Sequence, residues 1–230
     1  MLPQIKRSAT PGEVVALMKN RYTAKAYDPH RHVSAEDIHA IVESGRLSAS
    51  SMGLEPWHFL VLRPSPLWQA VIDHCWGFHP QPSHLVVLLG RNASHFTTRS
   101  EYVRHIHCDV QGRDPGALEA RYETIERFLR HDLGLTSDEA VTGWVDRQVY
   151  IALGSMLIAA ARLGVDSTAI EGMSVADVER ALVEAGCFDP EDYHVVCALA
   201  LGYTSRPAHR DKTRREAREV VTYIGADSHE

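Results

Sequence analysis

The stretch Gly143-Trp-Val-Asp-Arg-Gln-Val-Tyr-Ile-Ala-Leu-Gly-Ser-Met-Leu-Ile-Ala-Ala-Ala-Arg-Leu-Gly164, continuing Val-Asp-Ser-Thr-Ala-Ile-Glu171-Gly172, decides the fold. Val149 to Ala161 carries no charge. That run is too short to span a bilayer and suits a buried helix. A helix apolar on every face must be covered on every face. Ala152, Gly154, Ser155, Ala159 and Ala160 keep it thin, so neighbouring backbones can come close. One reading is a central core helix; a sharper one adds a second copy of the chain to the covering. Gly164 suits a left-handed helix stop. The chain then runs extended through Thr168-Ala169-Ile170 into Glu171-Gly172, which reads as the floor of a site.

Outward from this centre the pattern mixes helices and strands. Thr10-Pro11-Gly12-Glu13 is a capping box that opens a helix to Asn20. Ser34-Ala-Glu-Asp37 opens a second, with Ile38, Ile41, Val42 and Leu47 expected inward. Trp57–Leu62, His84–Leu89 and Tyr193–Tyr203 read as strands, the last two buried on both faces. Leu67–Cys75 and Pro115–His131 read as helices, Ser174-Val-Ala-Asp177 caps another, and 91–113 has no clear period. The fold class is α+β, one domain over 1–230 with an extended basic C-terminal segment from 204.

Composition narrows the function. At 230 residues one large domain is expected, two being the alternative. A net charge of −6 argues against a nucleic-acid or anionic-membrane partner. No signal peptide or membrane span is visible, and Cys75, Cys108, Cys187 and Cys197 lack C-x-x-C spacing, so a cytoplasmic location with reduced thiols is expected. The pairs His30/His32 and His105/His107 match no spaced metal signature, so no metal is expected. Neither a Walker loop nor a Rossmann fingerprint appears.

Three segments share a character. Arg21 and Lys25 flank Thr23; Ser48 to Ser51 offers hydroxyls and loop amides; Lys212 and Arg214 flank Thr213. Cations beside hydroxyls suit a phosphate monoester, and arginine can grip it in a fork. Singly, each segment reads equally as a solvated surface patch. Together with the Glu171-Gly172 floor they outline a pocket for a phosphorylated planar ligand.

Arg21-Tyr-Thr-Ala-Lys-Ala-Tyr-Asp28, Ser48-Ala-Ser-Ser51, Glu55-Pro-Trp-His-Phe59, Gln148-Val-Tyr150, Ile170-Glu-Gly172 and Lys212-Thr-Arg214 stand in an order that resembles the nitroreductase family, over roughly Lys19 to Tyr223. The resemblance implies an FMN-dependent NAD(P)H oxidoreductase of the oxygen-insensitive type. Its fold would be a central mixed sheet flanked by helices, with the long central helix at a homodimer interface. It implies that Arg21, Tyr22 and Thr23 hold the FMN phosphate and ribityl region with Lys212 and Arg214, and that Lys25 reaches the pyrimidine edge. Ala49, Ser50 and Ser51 would cover the flavin from the other subunit, and the backbone of Ala169, Ile170, Glu171 and Gly172 would lie along the ring. No side-chain catalyst is implied, and Phe128 is the candidate aromatic over the flavin.

The implied reaction is ping-pong: NADH or NADPH donates, then a nitroaromatic, quinone or similar acceptor takes the electrons. Pteridine reduction, flavin-destroying oxygenation and flavin binding without turnover are the alternatives. The chain departs from the family pattern with Ala49 for Pro and Gly53 for Asn. Gly77–Pro82 also lacks the family's Asn and Lys, with Gln81 as a candidate replacement.

Overall fold

The computed structural model describes residues 8–77, 81–97, 99–206 and 211–225. Helix α1 (Pro11–Asn20) opens on the expected capping box, with the Glu13 carboxylate accepting from the Thr10 amide at 2.7 Å. Helix α2 (Ala35–Arg46) is capped by the Ser34 hydroxyl. Ile38 and Ile41 are buried, but Leu47, expected inward, is exposed because the helix ends one residue before it. Strand β1 is Trp57–Leu62 and helix α3 is Pro66–Ile72, shorter than its pattern suggested because Cys75 leaves the helix to pair with Met173.

Strand β2 (His84–Arg91) is followed by short helices α4 (Ser94–Thr97) and α5 (Glu101–Arg104), the latter passing into a π-helical stretch, His105–Val110. The run expected from Pro115 to His131 begins as a 3-10 turn. It continues as α6 (Leu118–Arg127) and ends in a second π-helical stretch, Phe128–Asp132. Helix α7 (Asp138–Arg162) is capped by Ser137 and stopped by Gly164 at φ +71°. Strand β3 (Asp166–Ile170), helix α8 (Val175–Glu184) and strand β4 (Tyr193–Gly202) follow. No helix among the described residues is long and apolar enough to cross a membrane.

The strands form one sheet in the order β1-β2-β4-β3, every neighbouring pair antiparallel. The expected mixed sheet is therefore corrected: the parallel component is the isolated bridge Thr23–Ser167. Alternation along β2 and β4 sends side chains to two cores. Leu85, Val87, Ala198 and Ala200 meet Trp68, Ile72, Val178 and Leu182 beneath α3 and α8. Val86, Leu88, Cys197 and Leu199 meet Ile41, Val149, Leu153 and Met156 beneath α2 and α7. A third core joins the first half of α7 (Val141, Trp144, Val145) to the 94–132 insertion and to Leu54.

The join between sheet and N-terminal segment is tight at Gly202. A Cβ there would stand 2.7 Å from Tyr27 Cδ1 and 3.2 Å from the Ser83 amide nitrogen. Tyr27 cannot swing away, since its hydroxyl is 2.8 Å from Thr168 Oγ1 and 3.3 Å from the Ala200 carbonyl. Gly202→Ala is expected to cost about 1–3 kcal/mol by overpacking, whereas Gly12→Ala, with open space around it, costs nothing. Thermal denaturation of the two variants checks this; equal melting points would contradict it.

Candidate functional site

The Arg21–Tyr27 segment leaves the end of α1 in extended form and docks against β3. The Ala24 amide donates to the Ser167 carbonyl at 3.2 Å, and the Thr168 hydroxyl donates to the Ala24 carbonyl. Residues two apart on an extended chain share a face. Ala24 and Ala26 are buried, while Thr23 and Lys25 are exposed and Arg21 is half-buried. The hydroxyl and cations of the segment are thereby turned outward.

β3 is an edge strand, paired on one side with β4 and touched on the other by the bridge at Ser167. Beyond that bridge, among the described residues, no strand pairs with the outer edge of Ala169 and Ile170, and an unpaired strand edge can meet a ligand. Ile170 is buried, Ala169 and Glu171 are exposed, and Gly172 is half-buried. The Trp76 amide donates to the Gly172 carbonyl at 2.9 Å, and its largely exposed indole lies on the Gly172 Cα. Lys25 Nζ donates to the neighbouring Gly77 carbonyl at 2.6 Å, which ties the cationic segment to this floor. Sequence reasoning missed Trp76, because a lone tryptophan after a short helix carries no local signal.

The C-terminal segment returns to the end of α1. Lys212 Nζ donates to the carbonyls of Met18 (2.5 Å) and Arg21. A cation at the last carbonyls of a helix is favourable, and among the described residues the third ammonium proton has no acceptor. Slight desolvation and the neighbouring Arg21 and Arg214 guanidinium groups lower the pKa of the exposed Lys212 from its ordinary value. Three cations thus gather at the end of α1. A cavity of about 130 Å³ lies alongside, lined by Asn20, Arg21, Tyr22, Gly164, Asp166 and Ser167 among others. Tyr22 is half-buried there. An anion fits such a donor set: the chain is acidic overall, yet positive charge converges here.

The Ser48–Ser51 loop is held elsewhere, by α7. The Ser51 amide donates to Gln148 Oε1 at 2.9 Å, and the Ser50 hydroxyl accepts from the Glu55 amide at 2.9 Å. Ala49 is exposed; Ser50 and Ser51 are half-buried. Two residues along the same helix, the Tyr150 hydroxyl donates to the Glu171 carboxylate. Burial and that carboxylate push the phenol upward. The motif Gln148-Val-Tyr150 therefore ties the loop and the floor to opposite sides of one helical turn. Phe128 is half-buried against the third core. Gln81 is exposed, and residues 78–80 of the same loop lie outside the described residues.

A larger cavity, about 480 Å³, contains none of these residues. Its Arg91 is sandwiched between the rings of Tyr102 and Tyr193, each 4.2 Å away, and bonded to the Tyr193 hydroxyl, which marks it as a structural brace. Among the described residues no group of three or more His, Cys, Asp or Glu is arranged to hold a metal.

Residues 18–203 match the model of the nitroreductase family. The chain belongs to the nitroreductase family. It is 36% identical over 208 residues to a provisionally named NAD(P)H nitroreductase of Staphylococcus aureus (strain USA300), covering 89% of this chain and 92% of that one. It is 35% identical over 223 residues to another from Haemophilus influenzae, covering 94% and 98%. Its fold matches that of a provisionally named nitroreductase of Exiguobacterium sibiricum, solved in complex with FMN, at a TM-score of 0.69 and 16% identity, over 96% of this chain and 100% of that one.

The floor geometry is testable without ligand. A Cβ at Gly172 would stand 2.5 Å from Trp76 Nε1, and the exposed indole is free to yield. Gly172→Ala is expected to leave the melting point unchanged within about 1 °C, since exposed adjustments cost little, while altering tryptophan emission. The change should vanish when Trp76→Phe is added. Emission identical to wild type would place Trp76 off the floor.

Proposed function

We propose that this nitroreductase-family chain is an FMN-dependent NAD(P)H oxidoreductase of the cytoplasm, working as a homodimer. The observation that carries the reading is the convergence of Arg21, Lys212 and Arg214 at the end of α1, next to the bridge that docks Thr23 on β3, in an acidic chain. The chemistry supplied by bound FMN is hydride acceptance from NADH or NADPH, followed by electron delivery to an electron-poor acceptor such as a nitroaromatic or quinone.

The chain's part is to hold and tune. Arg21 and Arg214 grip the phosphate, helped by the third Lys212 proton; Tyr22 and Thr23 line the ribityl region. Backbone groups of Ala169, Ile170, Glu171 and Gly172 lie along the ring, and Lys25 supplies positive charge at the pyrimidine edge. Glu171 is oriented by Tyr150. Ala49, Ser50 and Ser51 serve the second copy's flavin. The dimer surface is the uncovered side of α7, where Tyr150, Ile151 and Ile158 are exposed and Gly154 and Ser155 keep the surface low. The expected single domain with a basic tail is part of this proposal; residues 207–210 and 226–230 of that tail lie outside the described residues.

Removing a charge-assisted hydrogen bond costs about 1.5–3 kcal/mol. Arg21→Ala and Arg214→Ala are each expected to weaken FMN binding on the order of ten- to a hundredfold, read by titration of the apoprotein. Unchanged affinity in both refutes the phosphate assignment. Wild-type yellow protein should bleach with NADPH and recolour with menadione; colour that never bleaches would point to a flavin carrier.

Lys25→Met tests the tuning. A unit charge about 4 Å away is worth roughly 4 kcal/mol at an effective dielectric of 20, before solvent screening. A third of that corresponds to roughly 30 mV for a two-electron couple. The variant is expected to lower the flavin midpoint potential by about that much, with FMN affinity largely kept. An identical midpoint in potentiometric titration rules Lys25 out as the tuning group.

A further inference from the structure

The loop that presents Ala49, Ser50 and Ser51 has a backbone that does not suit its sequence. Met52 lies at φ +57° and Glu55 at φ +46°, both non-glycine residues in the left-handed region, with Gly53 at φ +64° between them. Such residues persist only where their surroundings over-determine them. Here the surroundings are explicit. Four successive carbonyls of the loop are each met by a side chain of the 94–132 insertion. Arg121 Nη2 donates to the Met52 carbonyl at 2.8 Å, and Gln111 Nε2 to the Gly53 carbonyl at 2.9 Å. The Tyr102 hydroxyl lies 2.6 Å from the Leu54 carbonyl and 2.8 Å from that of Glu55.

Tyr102 is itself fixed. Arg91, at the end of β2, lies 4.2 Å over its ring, and Phe96 packs edge-on at 5.7 Å. Leu54 is fully buried in the core of the insertion. The Gly53 position, where the family often has Asn, admits Gln111: a Cβ there would stand 3.0 Å from Gln111 Nε2. The departure at Gly53 and the aperiodic 91–113 stretch thus meet in one contact, between Gly53 and Gln111.

We infer that Tyr102, Gln111 and Arg121 are positioning residues of the flavin site, through which the 94–132 insertion holds the Ser50–Glu55 loop in the strained shape that meets the partner's FMN. The inference rests on the proposed flavin site. Because the loop is strained, its relaxed alternatives lie close in energy, and each lost bond lowers the binding-competent fraction and the affinity with it.

Tyr102→Phe keeps the ring and removes both hydroxyl contacts. Tyr122→Phe is the matched control: its hydroxyl donates to the Ser100 carbonyl at 2.7 Å, inside the insertion and away from the loop. In the full-length protein, Tyr102→Phe is expected to weaken FMN binding about three- to tenfold, the worth of one hydrogen bond. At FMN saturation it should also alter the visible circular dichroism of the bound flavin. Tyr122→Phe should do neither, although both apoproteins lose comparable thermal stability. Gln111→Met carries the same expectation as Tyr102→Phe and covers the case in which that variant does not fold. Wild-type affinity and spectrum in Tyr102→Phe or Gln111→Met overturn the inference, as does an equal loss in Tyr122→Phe. A wild-type protein that binds no FMN overturns the proposed function instead.

Discussion

Burial of α7 is the constraint on which the rest depends. Its first half closes the core of the 94–132 insertion through Val141, Trp144 and Val145. Its second half covers the sheet through Val149, Leu153 and Met156. Two of the three cores therefore share one helix, and neither can form without it. Gly45 lets α2 lie close on it: a Cβ there would overlap the end of Met156. What remains is a stripe of Tyr150, Ile151 and Ile158, apolar and open. An uncovered apolar side on the most central helix is a cost that a second copy would remove.

The same helix organises the site. One turn holds Gln148, which fixes the Ser51 amide, and Tyr150, which holds Glu171 at the end of β3. The proposed clamp is remote from this turn in sequence and is built differently. Extended geometry turns Thr23 and Lys25 outward, and Lys212 secures the tail by bonding the last carbonyls of α1. The positive field thus comes from three cations at one helix end, in a chain whose net charge is −6.

Much of this was legible in the sequence because it is local. The capping box at Thr10, the cap at Ser34 and the stop at Gly164 are written in consecutive residues. The strands follow from apolar runs bounded by turns. Leu47 misled because helical spacing carries past the point where the backbone stops being helical. The 91–113 region resisted because helices of four residues and a π-helical stretch break the 3.6-residue period that pattern reading depends on. The bonds of Gln111, Arg121 and Lys212 to distant carbonyls had no signal at all, since any carbonyl can accept and nothing in its own residue type announces it.

The most direct test of a composite site on the open side of α7 is sedimentation velocity followed at the flavin's visible absorption band. Wild type is to be compared with the double variant Ile151→Glu, Ile158→Glu. Wild-type colour should sediment as a dimer, and the variant should sediment as a folded, colourless monomer. Colour carried by a monomer, in either protein, would contradict the account.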